Sequence, residues 1–118
     1  MDTRPGAVAD PLYAWVDLGT VPASRVQLAT AAATAEALAR AFLTMGQGEP
    51  VSADDVVDAF GQIANLLGGN IKALLPEHAR LTRREVSRAE PPGQRGVAGA
   101  EALFAWRARP LVISLYTI

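Results

Sequence analysis

One stretch of the sequence, residues 58–72, places polar side chains and glycine at helical spacing. The positions Asp58, Gln62, Asn65, Gly69 and Lys72 recur at intervals of four, three, four and three residues, and we call them the polar ridge. In a helix they lie along one face, where a carboxylate, two amides and an ammonium group can hydrogen-bond to a partner. Because Gly68 and Gly69 have no side chains, a partner could also approach the helix backbone closely beside this ridge.

The polar ridge also has a plainer interpretation, since the exposed face of a helix is normally polar. The two consecutive glycines weaken this interpretation, because each costs about 1 kcal/mol relative to alanine inside a helix. Asn70 is expected to point toward the apolar side of the same helix, where its amide needs a hydrogen-bond partner. These features indicate that the glycines and Asn70 serve packing or a contact. A partner-binding ridge and an ordinary exposed helix face both stay open as interpretations at this point.

Other catalytic chemistries find little support in the composition. The chain has no cysteine and one histidine, His78, which excludes thiol catalysis, disulfides and Cys/His zinc sites. His78 follows the end of a predicted helix, where we expect a solvated charge partner and not a catalytic base. Neither glycine-containing loop, GQGEP or VAGAEALFA, has the spacing of a phosphate-binding loop. We therefore expect no metal and no nucleotide-type cofactor in this chain.

Size and charge narrow the classes of partner. The 118 residues suffice for one domain with its own core, and 11 Lys and Arg against 12 Asp and Glu give a net charge of −1. Trp15, Trp106 and the arginines between Arg80 and Arg109 could imitate a basic aromatic surface, but a neutral chain does not attract nucleic acid or an anionic membrane. No apolar run or basic leader indicates a membrane span or signal peptide. We expect a soluble cytoplasmic protein.

Periodicity predicts the elements that carry the ridge. Residues 1–10 are expected to form a flexible tail, and residues 11–118 one domain. The pattern predicts strands over 12–18, 25–30, 80–88, 101–107 and 111–118, and helices over 31–45 and 52–75. Ser52 and Asp55 have the spacing of a helix start, the 80–88 strand is expected at a sheet edge, and Arg109 with Pro110 is expected to form the last tight turn.

Both predicted helices have an apolar face for packing. In the first helix this face is Ala31, Ala35, Leu38, Phe42 and Met45; in the second it is Val56, Phe60, Ile63, Leu67, Ile71 and Leu74. The last strand is apolar on both faces, so we expect it inside the sheet. Connections between adjacent strands are too short for parallel crossovers. The predicted fold class is therefore α/β in the two-layer sense, an antiparallel sheet with two long helices packed on one face.

The segment DAFGQIANLLGGNIKALLP, residues 58–76, resembles the signature helix of the CheX-like chemotaxis phosphatases, which are related to the CheC and FliY phosphatase domains. That helix carries an acidic residue, an ExxN motif and a Gly-Asn-x-Lys continuation. The matching positions are Asp58, Asn65, Gly69, Asn70 and Lys72. The order of the other elements is similar over nearly the whole chain. The resemblance implies a two-layer α/β fold and hydrolysis of the aspartyl phosphate on a CheY-like response regulator.

The same resemblance implies roles for individual residues. Asn65 would orient the attacking water and Gln62 would contact the lysine of the regulator, while Asp58, Gly68, Gly69 and Lys72 would bind the partner. No cofactor is implied for this chain, since Mg²⁺ belongs to the regulator. Gln62 departs from the family glutamate, and a neutral hydrogen bond is about half as strong as a charge-assisted one. The resemblance thus implies a weakened phosphatase.

Two further hypotheses remain beside the phosphatase. The first is a non-catalytic adaptor that uses the polar ridge to bind a receiver domain or another protein without hydrolysis. The second is a structural domain whose two-faced last strand pairs with a second copy, giving a homodimer through the sheet.

Overall fold

The computed structural model describes residues 10–20, 23–46, 48–74, 80–81, 84–89 and 98–118. The described elements are β1 (Pro11–Leu18), β2 (Ser24–Ala31), α1 (Ala32–Phe42), α2 (Ala53–Leu74), β3 (Glu85–Ser87), β4 (Ala98–Trp106) and β5 (Arg109–Thr117). This order confirms the element order predicted from the sequence. Apart from Asp10, the predicted tail lies outside the described residues, and so does His78.

The five strands form one antiparallel sheet in the order β3-β1-β2-β5-β4. Among the described strands β3 pairs with β1 alone, which confirms an edge strand in the 80–88 region, although it is three residues long. β5 lies between β2 and β4, as its two apolar faces predict. Because both of its edges are already paired, β5 cannot pair with a second copy. A dimer through the last strand is therefore excluded in this fold.

The turn between β4 and β5 differs from the prediction. It lies at Arg107 and Ala108, whose φ angles are 51° and 63°, whereas Arg109 and Pro110 are already in β5. Tight hairpins favour turns with positive φ at both central positions, because the twist of those turns matches that of the strands. The usual Asn or Gly is missing here, so the sequence contains no signal for the turn, and the prediction at Pro110 was wrong.

Both helices pack on the same face of the sheet, which confirms the predicted two-layer arrangement. The interior between the layers is formed by Leu12, Ala14, Leu28, Ala35, Ala39, Val56, Ala59, Phe60 and Ala64. The other face of the sheet has its own buried apolar cluster, which includes Trp15 at 5% exposure. Neither helix in the described part of the chain has the length and apolar character that crossing a membrane requires.

The observed start of α2 agrees with the prediction, whereas the observed end of α1 does not. At the start of α2, the Ser52 hydroxyl accepts a hydrogen bond from the backbone N–H of Asp55 at 3.0 Å, which confirms the predicted cap. α1 is shorter than predicted and ends at Phe42, with Thr44 at a positive φ of 56°. Phe42 is 40% exposed, so its predicted core position is wrong. It lies at the end of the helix, beyond the buried Ala39.

Candidate functional site

Small residues determine how α2 lies on the sheet. Its buried positions are Val56, Ala59, Phe60, Gly61, Ala64 and Gly68. The predicted apolar stripe holds only in part, because Ile63, Leu67 and Ile71 are half-buried and Leu74 is 83% exposed. The buried face of the helix is therefore shifted from the large apolar residues toward alanine and glycine, which allow close approach of the helix to the strands.

Gly68 has an internal packing role. A Cβ atom on Gly68 would lie 2.6 Å from Cγ1 of Val16 in β1 and 3.2 Å from Cδ2 of Leu81. Gly68 therefore faces the protein interior, in contrast to the expectation that it contacts a partner. Gly69 is different, since a Cβ atom there would meet nothing within 4 Å. Of the two glycines, Gly69, which belongs to the polar ridge, is the one that faces open space.

α2 brings the remaining predicted site residues together on its outer side. Asp58, Gln62 and Lys72 are exposed, while Asn65 and Gly69 are half-buried. Gln62 and Asn65 are three residues apart in the helix, so they are neighbours on its surface. Asn70 is also exposed, which overturns the expectation that it points to the apolar side.

The ridge side chains are not used by the fold itself. Among the described residues, Asp58, Gln62, Asn65 and Lys72 have no side-chain hydrogen bond or ion pair with another part of the protein. The described ranges also contain no group of three or more His, Asp or Glu side chains that could hold a metal ion. The ridge therefore presents amide, carboxylate and ammonium groups that can hydrogen-bond to a partner.

Arg84 adds a positive charge to the flank of the ridge. A Cβ atom on Gly61 would lie 3.0 Å from Nε and 3.1 Å from Cδ of Arg84. The arginine side chain therefore packs against α2 at Gly61, which has no side chain of its own. Gly61 is three residues after Asp58 and four before Asn65, and both are its neighbours on the helix surface. The sequence predicts Arg84 in a solvated edge strand. The signal for its position was Gly61, a further glycine inside the helix.

The fold is similar to that of solved structures, although the sequence itself matches no protein-family model and no curated protein. Among solved structures, the chemotaxis protein CheX from Desulfovibrio desulfuricans superposes with a TM-score of 0.71, covering 92% of this chain and 78% of that one. CheX from Vibrio vulnificus superposes with a TM-score of 0.70, covering 97% and 79%. The chain has a CheX-like fold. Sequence identity is 15% in both cases.

The CheX-like fold gives the ridge residues a rigid support. α2 is a long helix of 22 residues, capped at its start and packed along β1, so side chains on its outer side are held at fixed spacing. Groups on such an element are positioned more precisely than groups on a loop. Within this CheX-like fold, the amides of Gln62 and Asn65 lie one turn apart on α2, and each can both donate and accept hydrogen bonds.

Proposed function

We propose that this protein binds the phosphorylated receiver domain of a response regulator through the polar ridge and hydrolyses its aspartyl phosphate. The observation that carries the proposal is the position of Asn65, which lies on the outer side of the long helix of a CheX-like fold with no hydrogen-bond partner among the described residues. Both solved structures are chemotaxis proteins named CheX, which supports a role in the same kind of signalling.

In this reaction the protein itself has only to position the attacking water molecule. In a receiver domain the aspartyl phosphate already lies beside Mg²⁺ and a lysine of the regulator, which neutralise charge on the phosphoryl group. The amide oxygen of Asn65 would accept a hydrogen bond from a water molecule and hold the water oxygen in line with the P–O bond that breaks. As the water oxygen bonds to phosphorus, the bond from phosphorus to the aspartate oxygen breaks, which releases the free carboxylate and a phosphate that carries both protons of the water.

Gln62 would contact the lysine of the regulator with its amide oxygen. Where a glutamate would form an ion pair, this contact is neutral, and the lost charge assistance costs about 1 to 3 kcal/mol. In rate this is about ten- to a hundredfold, which slows the reaction without abolishing it.

The remaining ridge positions suit docking. Gly69 leaves open space in which the receiver can approach the helix backbone, with the exposed Lys72 next to it and Asp58 at the other end of the ridge. Arg84, whose side chain lies against Gly61 one turn before Asn65, would contact the phosphoryl oxygens. A guanidinium group is well suited to this contact, because its N–H groups match phosphate geometry.

The replacement of the family glutamate by Gln62 favours one alternative, an adaptor that binds the receiver domain without hydrolysis. The test is the release of phosphate from a phosphorylated receiver domain in Mg²⁺, with the wild-type protein and with Gln62→Glu. Acceleration by the wild type supports the phosphatase. Acceleration by Gln62→Glu alone would show that the wild-type protein is an adaptor, which does not hydrolyse the phosphate because residue 62 is glutamine. If neither variant accelerates release or binds the receiver, the proposal is wrong.

A homodimer through the sheet remains a second proposal, now through β4. In the described sheet β4 is an edge strand of nine residues, and its Leu103 and Phe104 are 61% and 51% exposed. Long apolar edges favour strand pairing with another chain. The test is the solution mass at dilute concentration, which should be that of two chains for the wild type and of one chain for Leu103→Lys.

A further inference from the structure

A pocket of about 280 Å³ lies between α1 and the hairpin of β4 and β5. Its walls include Arg40 of α1, Trp106 and Arg109 of the hairpin, Arg107 of the turn, and Met45 after α1. None of these residues belongs to the polar ridge or flanks it. The pocket is therefore a separate feature of the molecule.

The pocket concentrates positive charge. Three arginines, Arg40, Arg107 and Arg109, line it. Among the described residues, the one carboxylate in an ion pair with them is Glu36, whose Oε2 is 4.0 Å from Nη2 of Arg40. Arg40 also donates from Nε to the backbone oxygen of Glu49 at 2.7 Å. Such a cluster in a chain of net charge −1 favours binding of an anion.

The arginines are held in place by the fold. Nη1 of Arg109 donates to the backbone oxygen of Ala33 in α1 at 3.3 Å. The guanidinium of Arg107 lies over the ring of Trp106, 4.4 Å from its centroid. A stacked guanidinium keeps its N–H edges available for hydrogen bonds. Each group thus has an anchor and still has donors left for a ligand.

We propose that this pocket binds a small phosphate-bearing molecule. One arginine suffices for a carboxylate, which it binds through two parallel hydrogen bonds. Three arginines match a phosphate monoester, which has three terminal oxygens and a charge near −2 at neutral pH. The carbon part of the ligand would lie beside Trp106 and Met45, and the volume suits a molecule of nucleotide size or smaller.

A nucleic acid strand fits these observations less well. Single-stranded nucleic acids bind along extended basic grooves with successive aromatic platforms. Here the basic residues converge on one recess with one aromatic ring, and the chain as a whole carries no positive excess. A single phosphate group is therefore the better match.

The two tryptophans of the chain allow a direct test on the intact protein. Trp106 lines the pocket, while Trp15 is 5% exposed within the sheet. Their indole N–H signals can be followed by NMR, and the signal that is missing in Trp106→Phe is assigned to Trp106. The probes are inorganic phosphate, adenosine 5′-monophosphate and adenosine. Both phosphates should shift the Trp106 signal to saturation and leave Trp15 unchanged, whereas adenosine should not; tighter binding of the nucleotide would show that the apolar wall is used.

Two matched variants complete the test. Arg109→Gln should weaken binding of the nucleotide about tenfold, because it removes a charge-assisted contact. Arg88→Gln, which changes an exposed arginine paired with Asp10 after β3, should bind as the wild type does. Equal weakening by both variants, no saturable shift, or an affinity for single-stranded oligonucleotides that rises with their length would overturn the proposal. Dispersed amide spectra of each variant show that it is folded.

Discussion

Gly68 of α2 lies so close to Val16 of β1 that a Cβ atom on Gly68 would be 2.6 Å from Cγ1 of the valine. This contact fixes both the distance of the helix from the sheet and its rotation about its own axis. With Gly68 turned inward, the polar side chains at positions 58, 62 and 72 are turned outward. The close packing of α2 is thus what leaves the ridge open to a partner.

The two adjacent glycines should respond to alanine in opposite ways. Gly68→Ala forces Val16 or the helix to move, and overpacking of this kind destabilises by about 1 to 3 kcal/mol. Gly69→Ala meets open space, so improved helix propensity should raise the free energy of unfolding by about 0.5 to 1 kcal/mol. Urea denaturation measures both values. A stabilising Gly68→Ala would contradict the packing described for α2.

Gly69→Ala also tests the proposed docking surface. If the receiver domain approaches the helix backbone there, the added methyl group should weaken receiver binding although the protein is more stable. Titration calorimetry with the phosphorylated receiver measures this, and Ala73→Gly on the same helix is the control for a change of helix propensity alone. Unchanged affinity in Gly69→Ala would remove this position from the interface.

Arg84 should contribute to the reaction through its charge. Arg84→Gln is expected to lower the rate of aspartyl-phosphate hydrolysis about tenfold, because charge-assisted hydrogen bonds to phosphoryl oxygens are lost. Gly61→Ala should act similarly, since its methyl group would lie 3.0 Å from Nε of Arg84 and displace the side chain. Arg88→Gln, after the same edge strand, serves as the control. Full activity in both Arg84→Gln and Gly61→Ala would place Arg84 outside the site.

The hairpin between β4 and β5 offers a stability test that does not involve the ridge. Ala108 has a φ of 63°, a left-handed conformation that costs a residue with a side chain about 1 kcal/mol relative to glycine. Ala108→Gly should therefore raise the midpoint of thermal unfolding by a few degrees. Ala105→Gly, in the neighbouring strand, should lower it. If both glycines lower the midpoint, the turn is not the one described.

Local patterns in the sequence predicted much of this fold. The helix start at Ser52, the aromatic and branched residues of β1 and the apolar last strand are all short-range signals, and the structure has the predicted element at each of them. The ridge was equally predictable, because helical periodicity alone aligns Asp58 with Gln62.

The structure differs from the sequence prediction where the position of a residue depends on contacts between distant parts of the chain. The rotation of α2 depends on Val16, which is 52 residues from Gly68 in the sequence. The approach of Arg84 to Gly61 likewise depends on the pairing of β3 with β1. The hairpin turn could not be predicted because Arg107 and Ala108 are not typical turn residues.

The most direct test of the central claim is the decay of a phosphorylated receiver domain in Mg²⁺ with the wild-type protein, Asn65→Ala and Asp54→Ala. Asp54 is an exposed polar residue at the start of the same helix, outside the ridge and the signature motif, so each variant loses one polar side chain at a different place. We expect the wild type and Asp54→Ala to accelerate decay equally and Asn65→Ala to give no acceleration. Equal acceleration by Asn65→Ala and the wild type would contradict the assignment of Asn65 as the residue that orients the attacking water.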